Sequence, residues 1–320
     1  MLFTTTLNQM AFLFSLIAIG YTLSKLKLIP DNSETVLSRL ENYVFIPALV
    51  MGTFMNNFTG ATLSSAWKLF LGSFALEMIV IPLAIFCARL CAKDTYTRNI
   101  YLYGLAFSNF GFMGNAVVSV LFSDIFMEYI VFTLVLWSLI YLWGVPSLLM
   151  GEEDKRNTLG DKFKKLLNPM FVGMLIGMAI GLLHIPVPSF VDSLVTTTGN
   201  CMSPVAMLLI GMTIAKIDIK SVLKIKSIYA VTFLRLLVFP LLFIGVLTIF
   251  EDMFSRTFII CAVSTLAMPL GLNTIVIPSA YGKDTRIASG MVLVSHTLSC
   301  ITIPIIFLIL ARQSQVLTPL

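Results

Sequence analysis

Three asparagines stand inside apolar stretches beside glycines and a proline. Asn109 and Asn115 lie in Ser108-Asn109-Phe110-Gly111-Phe112-Met113-Gly114-Asn115-Ala116, and Asn273 lies in Met268-Pro269-Leu270-Gly271-Leu272-Asn273-Thr274. A side-chain amide is costly in apolar surroundings unless it is partnered. Glycine and proline weaken a helical ladder where they fall. A helix interrupted there exposes the amino end of a half-helix, whose free N–H groups and partial positive charge suit an anion. Asn109, Asn115 and Asn273 would add donors, so the expected chemistry is reversible binding of a carboxylate. Gly111, Gly114, Pro269 and Gly271 complete the candidate substrate-binding set. The competing reading is that the glycines only allow close helix packing and the asparagines only tie helices together.

Three ionisable residues lie about midway along other apolar runs: Glu77, Arg235 and His296. Such groups inside a membrane usually either function or pair with one another. Glu77 and Arg235 have opposite signs at matched depths, which suits a structural ion pair. Alternatively, Glu77 takes up a coupling proton or sodium and Arg235 attracts the anion. His296 has the chemistry of a proton shuttle, although a lone histidine in an apolar helix also serves as a hydrogen-bonded interior residue.

The segments that carry these residues need lipid as their solvent. Of 320 residues, 58% are hydrophobic and 12% charged, with mean hydropathy +0.95. A soluble domain carries roughly a quarter charged residues. The formal charge is +5 but there is no basic tail, so nucleic acid is not an expected partner. Cys87, Cys91, Cys201, Cys261 and Cys300 lie within or at the ends of apolar segments. They have neither metal-ligand spacing nor the look of a disulfide framework, and no resident metal or cofactor is expected. The first apolar run has no positive charge before it and no small-residue cleavage site after it, which predicts a retained helix rather than a signal peptide.

A spanning helix needs about 20 mostly apolar residues. Ten segments are predicted, at approximately 5–24, 41–56, 67–88, 99–122, 128–150, 167–184, 193–215, 227–249, 256–280 and 287–310. They are long and apolar all round, which excludes a β-barrel. All but four of the 21 basic residues fall on alternate connections, so these face the cytoplasm and both termini lie outside. The exceptions are Lys68, Arg235, Arg256 and Arg312.

The two halves also match at an offset of 158 residues: Glu77 with Arg235, Pro82 with Pro240, Arg98 with Arg256, Asn115 with Asn273, Glu128 with Arg286 and Pro146 with Pro304. The polar run 151–166 reads as a cytoplasmic linker between a first repeat, 1–150, and a second, 167–320. Five spans is an odd number, so the repeats are inverted in the membrane. Inverted repeats supply the two related conformations of alternating access. The fold class expected is therefore all-α and polytopic, with ten transmembrane helices in two inverted five-helix repeats.

At these motifs the chain resembles the auxin efflux carrier family, in its shorter bacterial form. The residues that carry the resemblance are Ser-Asn-Phe-Gly-Phe-Met-Gly in span four, Met-Pro-Leu-Gly-Leu-Asn in span nine, Ala280-Tyr281-Gly282-Lys283-Asp284, Ala288-Ser289 and Ile303-Pro304. The resemblance implies a fold like that of the bile acid sodium symporters, with helices four and nine broken and crossing near the midplane. It implies a scaffold of helices 1, 2, 6 and 7 and a moving transport domain of helices 3–5 and 8–10. It also implies organic acids such as malate, malonate or auxin-like acids as substrates. By the same resemblance, Asn109 matches the crossover asparagine that holds the carboxylate, and Pro269 the crossover proline. The family's Gly-x-Pro at the first crossover is here Gly114-Asn115-Ala116, which predicts a softer break with Asn115 taking polar contacts.

The function expected is a secondary transporter of small organic anions in a bacterial cytoplasmic membrane, with a proton or sodium as an open coupling ion. Expected partners are the anion, the lipid bilayer and, as an open alternative, a second copy of the chain. A passive anion channel would need a polar stripe through several spans. A membrane enzyme would need a catalytic cluster, against which two distant histidines and the lack of a metal motif argue.

Overall fold

Backbone in lipid must satisfy its own hydrogen bonds, and this chain does so with helices. The computed structural model describes residues 2–150, 169–250, 253–280 and 283–313. The expected linker 151–166, together with Leu167, Asn168, Tyr281 and Gly282, lies outside the described residues. Among the described residues there is no β-strand.

Among the described residues the helical segments group into ten rods in chain order, not all of them long enough to cross a membrane. They are α1 (Leu2–Lys25), α2 (33–57), α3 (Gly60–Cys91), α4, α5 (Ser123–Leu149), α6 (Pro169–Leu183), α7 (Ser189–Lys216), α8 (226–249), α9 and α10 (Arg286–Gln313). The fourth and ninth are each split: α4a is Thr95–Ala106 and α4b Phe110–Leu121, while α9a is Arg256–Ala267 and α9b Asn273–Ala280. Six rods contain helices long and apolar enough to cross a membrane, namely α1, α3, α5, α7, α8 and α10. The other four expected spans are the two split rods, the 15-residue α6, and α2, whose first turns are polar.

Proline shapes several rods. It removes a backbone donor and crowds the carbonyl a turn earlier. A π-helical turn precedes Pro47 in α2 (Glu41–Phe45) and Pro240 in α8 (Leu234–Val238), and another (Ile140–Leu149) contains Pro146 in α5. The wider turn makes room without ending the rod.

Neighbouring rods pack side by side in two groups, and α1 of the first also lies against α10 of the second. In one, α1 lies along α7, and α2 lies along α6 and α7. Small residues let the backbones approach. A Cβ placed on Gly173 of α6 would sit 2.8 Å from the Pro47 carbonyl oxygen, and Gly181 would sit 2.7 Å from that of Phe54. In the other set, α3 packs on α4a and α5, and α8 packs on α10. Bonds link the sets: Gln9 Nε2 of α1 donates to the Ala116 carbonyl of α4b (3.0 Å), and Ser203 Oγ of α7 to that of Phe112 (2.9 Å).

Candidate functional site

The second break is set locally. The residue before a proline is driven to extended geometry, and Met268, before Pro269, has φ −69° and ψ 148°. The first break has no proline. It falls at Phe107–Asn109, where Phe107 is extended at φ −113°, ψ 105°. The two breaks support each other. Asn109 N–H donates to the Pro269 carbonyl (2.7 Å), and Ser108 and Leu270 form an isolated antiparallel bridge. Gly271 permits this approach, since a Cβ there would lie 2.6 Å from the Phe107 carbonyl oxygen.

This corrects the expectation that the glycines and Gly114-Asn115-Ala116 form the first break. Phe110–Gly114 is a π turn that runs unbroken into Asn115–Leu121. The glycines of that turn serve packing: a Cβ on Gly111 would strike the Trp137 ring at 2.5 Å, and one on Gly114 would strike the Tyr129 hydroxyl. Asn115 lies more than a turn inside α4b, whereas Asn273 opens α9b. The 158-residue offset therefore does not equate them in position relative to the breaks.

Arg235 closes the other side of the crossing. Its Nη1 donates to the Leu105 carbonyl (2.9 Å), its Nη2 to Thr265 (2.8 Å) and its Nε to Met268 (3.2 Å). Leu105 and Thr265 lie in the last turns of α4a and α9a, so one buried guanidinium caps the carboxyl ends of both half-helices. Ser108 Oγ adds a bond to the Thr265 carbonyl (2.7 Å). The direct Glu77–Arg235 ion pair is therefore not made. All three guanidinium nitrogens go to carbonyls, which gather at the ends of broken helices. Glu77 feels Arg235 electrostatically, yet its buried Oε2 has no hydrogen-bond partner.

The amino ends of α4b and α9b line a small cavity of about 10 Å3, with Asn109, Gly111, Gly271 and Asn273 among its walls. On that measure it holds about one water. Asn273 Nδ2 donates to the Tyr103 hydroxyl (3.1 Å). Asn109 Nδ2 meets His296 Nε2 of α10 at 2.8 Å, and its Oδ1 is buried without a partner. Of the expected site residues, Gly114, Asn115 and Pro269 do not line the cavity. Tyr103, Phe110, Phe112, Trp137 and Ile140 also line it. Their apolar sequence context gave no signal separating them from core residues.

A larger, open pocket of about 490 Å3 lies between the ends of α2, α6 and α7, lined by Asn56, His184 and Asp192 among others. It holds no buried unpartnered amide and lies away from the breaks, so the smaller cavity is the better candidate. A family model described as a membrane transport protein matches the chain at residues 5–165 and 158–307.

The chain belongs to this family, that of the auxin efflux carriers. Among individually curated proteins, none matches the sequence. This membrane transport protein holds one further buried carboxylate, that of Glu41. The sequence places Glu41 at the edge of the span 41–56, whereas α2 begins at Ser33 and buries it within the rod. Both of its carboxylate oxygens are without hydrogen-bond partners.

Proposed function

We propose that the chain is a secondary carrier of small organic anions, working by alternating access, with the carboxylate bound where the two broken helices meet. The observation that carries this reading is the convergence of two half-helix amino ends with the Asn109 and Asn273 amides on one buried cavity. Helix amino ends and amide donors favour an anion. The walls supplied by Tyr103, Phe110, Phe112 and Trp137 favour a carboxylate on an apolar or aromatic body, such as an auxin-like acid, over malate or malonate.

A cavity with room for one water does not admit such an anion, so the crossing has to open to load it. In this reading α1, α2, α6 and α7 form the scaffold, and the remaining rods move against it. The helices form two inverted repeats of five. Support comes from the backbone just past α1 and α6, where Lys27 (φ 54°) and His184 (φ 49°) both take the left-handed form that ends a helix. The protein resides in a bacterial cytoplasmic membrane with both termini outside, and it allows a homodimer.

The test is uptake of radiolabelled indole-3-acetate and malate into proteoliposomes. Saturable uptake, accelerated by unlabelled anion on the opposite side, is expected. Asn109→Ala should reduce it at least tenfold in protein that still folds, with a stability loss of no more than about 1–3 kcal/mol from the His296 Nε2 left without a donor. Linear, unsaturable flux would make the protein a channel. Saturable uptake of cations in place of carboxylates would remove the anion reading.

A further inference from the structure

Asn109 faces two ways, toward the cavity and toward an imidazole. His296 does not line the cavity; it lies behind Asn109, almost wholly buried. Its Nδ1 is 2.9 Å from the Val292 carbonyl oxygen. A carbonyl only accepts, so Nδ1 carries the hydrogen. In the neutral ring Nε2 is then an acceptor, and Asn109 must offer it the amide NH2, as the 2.8 Å contact with Nδ2 records. The price of that bond is the unpartnered, buried Oδ1 of Asn109. With a neutral imidazole, the amide atom left without a partner is thus an acceptor, which repels a carboxylate.

We propose that His296 is the proton-binding residue of the carrier, and that its protonation turns the Asn109 amide so that proton and anion bind together. A proton from water bonds to Nε2, which becomes a donor. Oδ1 of Asn109 then has to face it, and the amide rotates half a turn about its Cβ–Cγ bond. No covalent bond of Asn109 is made or broken. The rotation puts NH2 where Oδ1 was, so the unpartnered end of this cavity-lining residue becomes a donor, and the imidazolium adds positive charge one side chain away. Reciprocity of coupled binding then requires the anion to raise the affinity for the proton by the same factor. A monocarboxylate would cross with its charge balanced by that proton.

Other groups leave the imidazole to this role. The helices packed against α10 bring four buried titratable groups: Arg235, Cys261, Tyr101 and Tyr103. Arg235 is held by its three carbonyls, Tyr101 by Ser227 (2.6 Å) and Tyr103 by Asn273. Lys25, Arg98, Lys216, Lys220, Lys226 and Arg256 lie at or near helix ends. On α10 itself, Arg286 and Arg312 are terminal and Cys300 is a turn away. Besides Asn109 and Val292, the ring approaches Ser295 Oγ, at 3.4 Å.

The proposal rests on the anion reading, and the experiment separates the two. Binding of indole-3-acetate and of malate to the purified full-length protein is measured by calorimetry between pH 6.5 and 8.5, where carboxylic acids are ionised. Proton uptake is read from the dependence of the heat on buffer. Expected are uptake approaching one proton per anion and, on the alkaline side, affinity falling about tenfold per pH unit. His296→Gln should abolish both the uptake and the pH slope, because glutamine donates or accepts alike. His184→Gln should preserve them. Should His296→Gln fail to fold, nitrogen-15 histidine spectra of the wild type take its place, with Nε2 of His296 expected to gain a proton when anion is added. Pairing that is unaffected by pH, uptake that survives in His296→Gln, or an Nε2 that stays bare with anion bound overturns the switch and leaves the anion site standing. Absence of binding by either acid at every pH overturns both.

Discussion

A single guanidinium holds the crossing together. Three carbonyls at the ends of α4a and α9a converge on Arg235, and a buried acceptor without a donor costs about 1–3 kcal/mol. Arg235→Gln leaves carbonyls of this set without a donor and is therefore expected to destabilise the protein by at least about 1–3 kcal/mol. Arg235→Lys should recover only part, because an ammonium lacks the planar fork. Thermal unfolding in detergent reads both, and an unchanged melting point for Arg235→Gln would refute the capping role. Glu77→Gln should cost less than Arg235→Gln, since Glu77 makes no ion pair with the guanidinium. That Arg235 and Glu77 are special was legible from charge in an apolar run. Which partners they take was not, because opposite signs at matched depth do not reveal nearby carbonyls stripped of their helical donors.

Between helices, the fit of one break against the other has little slack. Gly271→Ala pushes a methyl against the Phe107 carbonyl, and backbone cannot step aside as a side chain can. The expected cost is about 1–3 kcal/mol, with transport lost because Asn109 and the amino end of α9b move apart. Gly111→Ala meets the Trp137 ring instead. There, Trp137→Leu should relieve the clash, so the double variant is expected to be more stable than the two single losses predict. Strict additivity in denaturation would deny that contact. The break in α9 could be read from Pro269, whose steric effect on Met268 is local. The break in α4 could not be placed, since Gly111 and Gly114 permit an interruption without requiring one. The chain keeps them helical and opens three residues earlier, where Pro269 and Arg235 supply partners.

Across the molecule, the reading requires one set of rods to move past the other. Gln9 of α1 and Ala116 of α4b meet across that boundary, away from the cavity. Cysteines at both positions, joined by an oxidant, should stop transport, and a reductant should restore it. Continued uptake by fully cross-linked protein would show that α1 and α4b travel together, and the proposed division of the rods would fall.

Lipid as solvent, an all-helical build and the break at Pro269 followed from composition and pattern. Each depends on transfer energies and local sterics that act on a residue wherever the chain takes it. The carboxyl-end cap by Arg235, the position of the first break, the Asn109–His296 contact and the burial of Glu41 did not. They arise from hydrogen-bond donors and acceptors brought together across 30 to 187 residues of chain or hidden by packing, and nothing local to either partner records the meeting.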